Sequence, residues 1–195
     1  AVISQRKDEF ESTPFLWLHS ILRLANDRQN QRDLEAVCGT FAQLTKLEID
    51  SEDVVAQAQA SDLGYLQHWI KLVRQKTSDT LVGEIVDQIS RHLGENRDFQ
   101  SFSRFALEWF SKLAQTTQQS AGDPMAEVFV RYEEERSVWE GLMNEIIGSL
   151  GNEITLEAFL QELQMHSKEP TPKPNTVTLM TIHGAKGKEF EHVYL

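Results

Sequence analysis

The chain reads as mainly α-helical, with short β-strands at both termini. Three observations predict this. From Thr13 onward, apolar residues recur at helical spacing in segments separated by helix-capping residues. Residues 167–175, "SKEPTPKPN", hold three prolines and cannot continue a helix. Beyond them the period changes from helical to alternating, and β-branched residues dominate.

The elements follow in order. Ala1, Val2 and Ile3 look like strand. Thr13-Pro14 supplies a capping residue and a proline suited to a first helical turn, and Phe15, Leu18, Leu22 and Ala25 then form a stripe. Leu34, Val37, Cys38, Phe41 and Leu44 predict a second helix, with Gly39 inside it. Ser51 opens a short helix carrying Val54, Val55 and Ala58, and Ser61 another with Leu63, Leu66, Ile70 and Val73. Ser78 opens a fifth, with Leu81, Val82, Ile85, Val86, Ile89 and Leu93, and Gly94 as its stop. Phe99, Phe102, Phe105, Trp109 and Leu113 make an aromatic stripe. Only Arg104 and Lys112 lie nearby, so it reads as core and not as a base-stacking platform.

Asp123-Pro124 is expected to begin the longest helix, reaching about Leu150. Its buried face is assigned to Val128, Tyr132, Val138, Trp139, Leu142, Met143, Ile146 and Ile147, and Glu133-Glu134-Glu135 to a solvated face. A metal site on those carboxylates would need a His or Asp spaced to complete it, and none is. Thr155 starts a last helix with Phe159, Leu160 and Leu163. After the proline-rich linker, residues 176–182 read as a strand, 183–192 as a glycine-containing loop, and 193–195 as a second strand.

Composition bounds the function. The 195 residues are 40% apolar and 25% charged, ample for a core and too apolar for wholesale disorder. With 19 Lys+Arg against 30 Asp+Glu the formal charge is −11, which argues against a stand-alone basic nucleic-acid binder. Residues 121–169 carry eleven acidic side chains and three basic ones, whereas residues 170–190 are net positive by two. One cysteine excludes an internal disulfide framework and a multi-cysteine zinc site, and the chain is expected to be intracellular. No apolar run is long enough to span a membrane, and residues 1–10 hold no apolar run after a basic start, so no signal peptide is expected there. Both termini lie within strand-like runs, and the expectation is a piece of something larger.

The chemistry concentrates in His183-Gly184-Ala185-Lys186-Gly187-Lys188-Glu189-Phe190. Two glycines permit close backbone approach to a bulky anion, and Lys186 and Lys188 add positive charge. Glu189 can accept hydrogen bonds from sugar hydroxyls. Ile182 stands where a Walker A loop needs its first glycine, and Glu189 follows the lysine in place of Ser or Thr, so this is not a P-loop. On spacing alone, an ordinary strand–turn–strand is the simpler reading.

Residues 177–195, "VTLMTIHGAKGKEFEHVYL", closely resemble motif V of the UvrD/Rep/PcrA-type superfamily 1 DNA helicases. The match runs through Thr181, His183, Ala185, Lys186, Gly187, Glu189 and Phe190. Residues 21–41 resemble the family's helix pair after motif IV, and residues 137–146 and 155–163 resemble the end of its accessory 2B subdomain. The resemblance implies three parts: residues 1–12 end a RecA-like (2A) segment, 13–168 form the helical accessory subdomain, and 169–195 return to the RecA-like α/β domain. It implies that Thr181, His183 and Gly184 contact single-stranded DNA, and that Lys186, Gly187 and Glu189 bind nucleotide, Lys186 toward the γ-phosphate and Glu189 at the ribose. ATP and Mg would be held mostly outside this chain, which has no Walker A loop and no Asp-Glu pair on a strand. No residue here is assigned a catalytic role.

The sequence departs from the family in three places. Lys188 stands where the family usually has Leu, and Glu191 where Pro is common. The acidic "KLEIDSEDVV", residues 46–55, occupies roughly the place of a Gly-Ile-Gly hairpin that grips duplex DNA. The leading expectation is part of an ATP-dependent helicase on single-stranded DNA, 3′ to 5′ by analogy and cytoplasmic, with a repair protein docking on the acidic helices. Two alternatives stay open. One is a helical protein-interaction module without DNA or ATP contact, the other the helicase part of a RecB-like helicase–nuclease.

Overall fold

The computed structural model describes residues 10–59, 61, 63–95, 98–118 and 125–166, and every regular element among them is helical. The mainly α expectation therefore holds there. The strands expected at residues 1–3, 176–182 and 193–195 lie outside the described residues.

Helix α1 (Thr13–Asn26) starts at the N-cap Ser12, with Pro14 in its first turn. Its buried surface is wider than the stripe expected, because Trp17, Ile21 and Leu24 are buried as fully as Phe15, Leu18 and Leu22. A helix apolar on most sides needs neighbours on most sides. Helices α2 (Gln31–Thr45), α4 (Tyr65–Lys76), α6 (Phe99–Gln118), α8 (Tyr132–Leu150) and α9 (Leu156–His166) supply them, and α1 is the post around which the body is built.

Local chemistry sets the boundaries. Helix α2 (Gln31–Thr45) is capped by the Asn30 side chain, which accepts the Asp33 amide at 3.0 Å. It ends on Lys46 in the left-handed region, φ 61°. The Asp50 carboxylate accepts the Glu52 amide at the start of α3 (Ser51–Gln59), 2.9 Å away. Helix α4 (Tyr65–Lys76) begins after Gly64 and not at Ser61. The reason is a close approach: the Tyr65 amide donates to the Arg28 carbonyl at 2.9 Å, and Gly64 lets the two backbones meet. Ser61 instead bonds His68 Nε2 at 2.7 Å.

Asp79, one residue past the expected Ser78, caps α5 (Thr80–Ile89) by accepting the Leu81 and Val82 amides. Gly94 does not stop this helix cleanly, because the chain continues through a π-type segment, Ser90–Glu95. Helix α6 (Phe99–Gln118) carries the aromatic stripe into the core. Phe99, Phe102, Trp109 and Leu113 are buried and Phe105 half-buried. Trp109 lies 5.6 Å from Trp17, and its Nε1 donates to the Leu81 carbonyl at 2.8 Å.

The helix expected from Asp123-Pro124 to Leu150 is two helices, α7 (Met125–Val128) and α8 (Tyr132–Leu150). The run Val128-Phe129-Val130 is a poor helix former. The turn it makes lets the Tyr132 hydroxyl donate to the Leu107 carbonyl of α6, 2.6 Å away. On α8 the buried stripe is Tyr132, Glu135, Trp139, Met143 and Ile146. Val138, expected inside, is 37% exposed. Glu133 and Glu134 are solvated as expected, but Glu135 is 1% exposed. It lies three residues after Tyr132 and four before Trp139, on their side of the helix. Helix α9 (Leu156–His166) is capped by the Thr155 hydroxyl and packs Phe159 on Phe99 at 4.7 Å.

Candidate functional site

The residues assigned to nucleotide (Lys186, Gly187 and Glu189) and to DNA (Thr181, His183 and Gly184) lie outside the described residues. What the structure describes is the helical body and the junction at its start.

That junction is built on α8. Glu135 Oε1 accepts the Glu11 amide at 3.1 Å, and both its oxygens accept the Ser12 amide at 3.2 Å. The Ser12 hydroxyl donates to Oε2 at 2.5 Å. Arg131, one turn back, pairs with Glu11 and holds Nε 3.8 Å from Glu135 Oε1. The carboxylate thus sits at the N-terminus of α1, where the helix dipole favours negative charge. Burial of a charge is tolerated only when hydrogen bonds replace water, and this cluster provides them. Phe10 completes the junction at 5.2 Å from Phe15, 5.2 Å from His19 and 5.5 Å from Trp139. Reading Glu133-Glu134-Glu135 as a run hid Glu135. Its spacing to Tyr132 and Trp139 is the signal that separates it from its neighbours.

Two clefts flank the body. The first, about 380 Å³, lies between α1, the start of α2 and α9, and is lined by His19, Arg23, Asn30, Glu157 and Gln161 among others. Arg23 Nε meets Asp33 at 3.0 Å across its floor. Burial raises the Asp33 carboxyl pKa, and Arg23 opposes the rise. Burial, reinforced by the Arg23 charge, lowers the His19 pKa to about 4, so its ring is neutral at physiological pH. The second, about 410 Å³, lies between α6 and α8 and is lined by Ser103, Arg104, Trp139, Glu140 and Met143 among others. Ser103 Oγ and Trp139 Nε1 have no hydrogen-bond partner among the described residues, but both atoms are sealed from solvent, so a molecule in the cleft does not reach them.

Cys38 is buried, and burial together with the Asp50 charge pushes its thiol pKa up to about 12, leaving no reactive thiolate. Among the described residues no three His, Cys, Asp or Glu side chains converge on a metal position. No helix among them is long and apolar enough to cross a membrane.

A helical body preceded by a short junction and followed by the glycine–lysine loop is the order expected of a helicase C-terminal region. The chain matches the family described as the UvrD-like helicase C-terminal domain over residues 19–195, and it belongs to that family. The resemblance drawn on residues 21–41, 137–146, 155–163 and 177–195 falls within that match. Comparison with curated proteins and with solved structures returns no match.

Proposed function

We propose that this chain is the accessory helical subdomain and motif V of an ATP-driven motor that moves along single-stranded DNA. The observation that carries the reading is the family match over residues 19–195, which takes in both the helices and the glycine–lysine loop. The chemistry of the loop agrees with it. A lysine beside two glycines suits phosphate oxygens, through one cation and closely approached backbone amides. In this reading Lys186 and Gly187 face the nucleotide phosphates, and Glu189 accepts from the ribose hydroxyls. Thr181, His183 and Gly184 hold the DNA backbone through hydroxyl, ring and amide donors, the usual partners of phosphate.

ATP with Mg supplies the driving reaction when bound to the parent protein. Phosphoryl transfer needs phosphate, metal and attacking water positioned together, and this loop provides one wall of such a site. A segment that touches both ligands has a simple use: a shift at Lys186 is felt two to five residues away, at Gly184, His183 and Thr181.

The test uses the intact parent protein. Glu189→Ala should raise the ATP concentration needed for half-maximal hydrolysis, and His183→Ala should weaken equilibrium binding to single-stranded DNA. Wild-type values in both would remove the site assignment.

A further inference from the structure

We propose that Glu135 and Trp139, one turn apart on α8, form a latch that makes residues 10–12 part of the rigid helical body and carries force between that body and the chain preceding Phe10. The geometry stands by itself; the mechanical consequence rests on the motor reading above.

The polar half of the latch is Glu135. It accepts from two successive backbone amides and one hydroxyl, all more than 120 residues away in sequence, while itself 1% exposed. An ion pair in water yields readily, since solvent replaces each partner. Glu135 differs, because withdrawing residues 11 and 12 would take three donors from a buried carboxylate. Arg131 balances the charge and ties Glu11 to the same helix.

The apolar half is Trp139. Phe10 lies against it at 5.5 Å, and on another side Phe159 of α9 meets it edge-on at 6.0 Å. One helix therefore grips both the first described residue of the body and its last described helix. Load arriving at Phe10 passes into α8 and α9 and does not peel the first turn from α1. Residues 10–12 thus belong mechanically to the helical body, although the helical pattern begins only at Thr13.

Hydrogen exchange on the 195-residue chain reads the latch, and the activity of the intact parent protein reads its consequence. Glu135→Gln keeps the shape and removes the charge. Arg131→Gln, at a half-buried site, carries the test if the first variant fails to fold. Amide exchange at Glu11 and Ser12 should accelerate about tenfold or more in Glu135→Gln, and by less in Arg131→Gln, while α4 and α5 keep wild-type protection. In the parent protein, strand separation per ATP hydrolysed should fall about threefold or more with DNA-stimulated hydrolysis unchanged.

Unchanged exchange at both amides overturns the latch. Faster exchange with wild-type strand separation per ATP overturns its mechanical role. If the wild-type parent shows no DNA-stimulated hydrolysis, the motor reading fails and the mechanical role with it, whereas the exchange data still decide whether the latch exists.

Discussion

His19 should make the helical body sensitive to acid well above the carboxylate range. Its ring sits 5.2 Å from Phe10 and 5.1 Å from Trp139, and burial with the Arg23 charge lowers its pKa from 6.5 to about 4. The unfolded chain therefore takes up the proton first as pH falls. Stability contributed by the neutral ring is complete above pH 6.5 and is lost between 6.5 and 4. Between pH 7 and pH 5 the loss for a fully buried ring is about 2 kcal/mol. His19 is sealed at Nε2 but only partly buried as a whole, which reduces the figure to roughly 1–2 kcal/mol.

The perturbation is His19→Phe, which keeps a ring between Phe10 and Trp139 and removes the titration. Asp33, whose pKa burial raises, is common to both chains and drops out of the difference. Urea unfolding of the 195-residue chain at the two pH values, followed by tryptophan emission, measures it. Trp17, Trp69, Trp109 and Trp139 are all under 2% exposed, so emission reports the whole core. Wild type should lose about 1–2 kcal/mol more than the variant over this interval. The same pH dependence in both chains would show that His19 is not the source of the acid sensitivity.

Two glycines should respond in opposite directions. Gly39 lies on the exposed face of α2 with open space around its Cα, so Gly39→Ala should stabilise by about 0.5–1 kcal/mol and raise the melting temperature. A Cβ on Gly64 would stand 2.7 Å from Arg28 Cβ and 3.0 Å from its carbonyl oxygen. Gly64→Ala should therefore destabilise by roughly 1–3 kcal/mol, read by the same unfolding curves. Cys38, with its thiol raised to about 12, should react with a thiol reagent at pH 8 only as the chain unfolds. Rapid labelling in native buffer would contradict its burial.

The periodic features were legible in the sequence. The aromatic run on α6 was assignable to the core because its spacing is helical and basic residues are sparse around it. Thr155 was readable as a cap because side-chain capping is local chemistry. Boundaries set by distant contacts were not readable. Gly64 starts α4 only because Arg28 comes close, and α7 stops short of α8 where Tyr132 reaches Leu107. Glu135 is the sharpest case. It belongs to a run of three glutamates, and its spacing to Tyr132 and Trp139 sets it apart, but the amides that let its charge be buried come from more than 120 residues earlier. For the loop at residues 181–189 the position was reversed: its chemistry is written in the motif, and the described helices add the body to which it is joined.

The proposed function makes this chain part of a motor that couples ATP to single-stranded DNA. ATP hydrolysis by the intact parent protein, measured with and without single-stranded DNA in wild type and Glu189→Ala, tests it most directly. Strong stimulation by DNA in wild type is predicted, with the variant needing more ATP to reach its stimulated rate. Hydrolysis that is absent, or indifferent to DNA, would contradict that function.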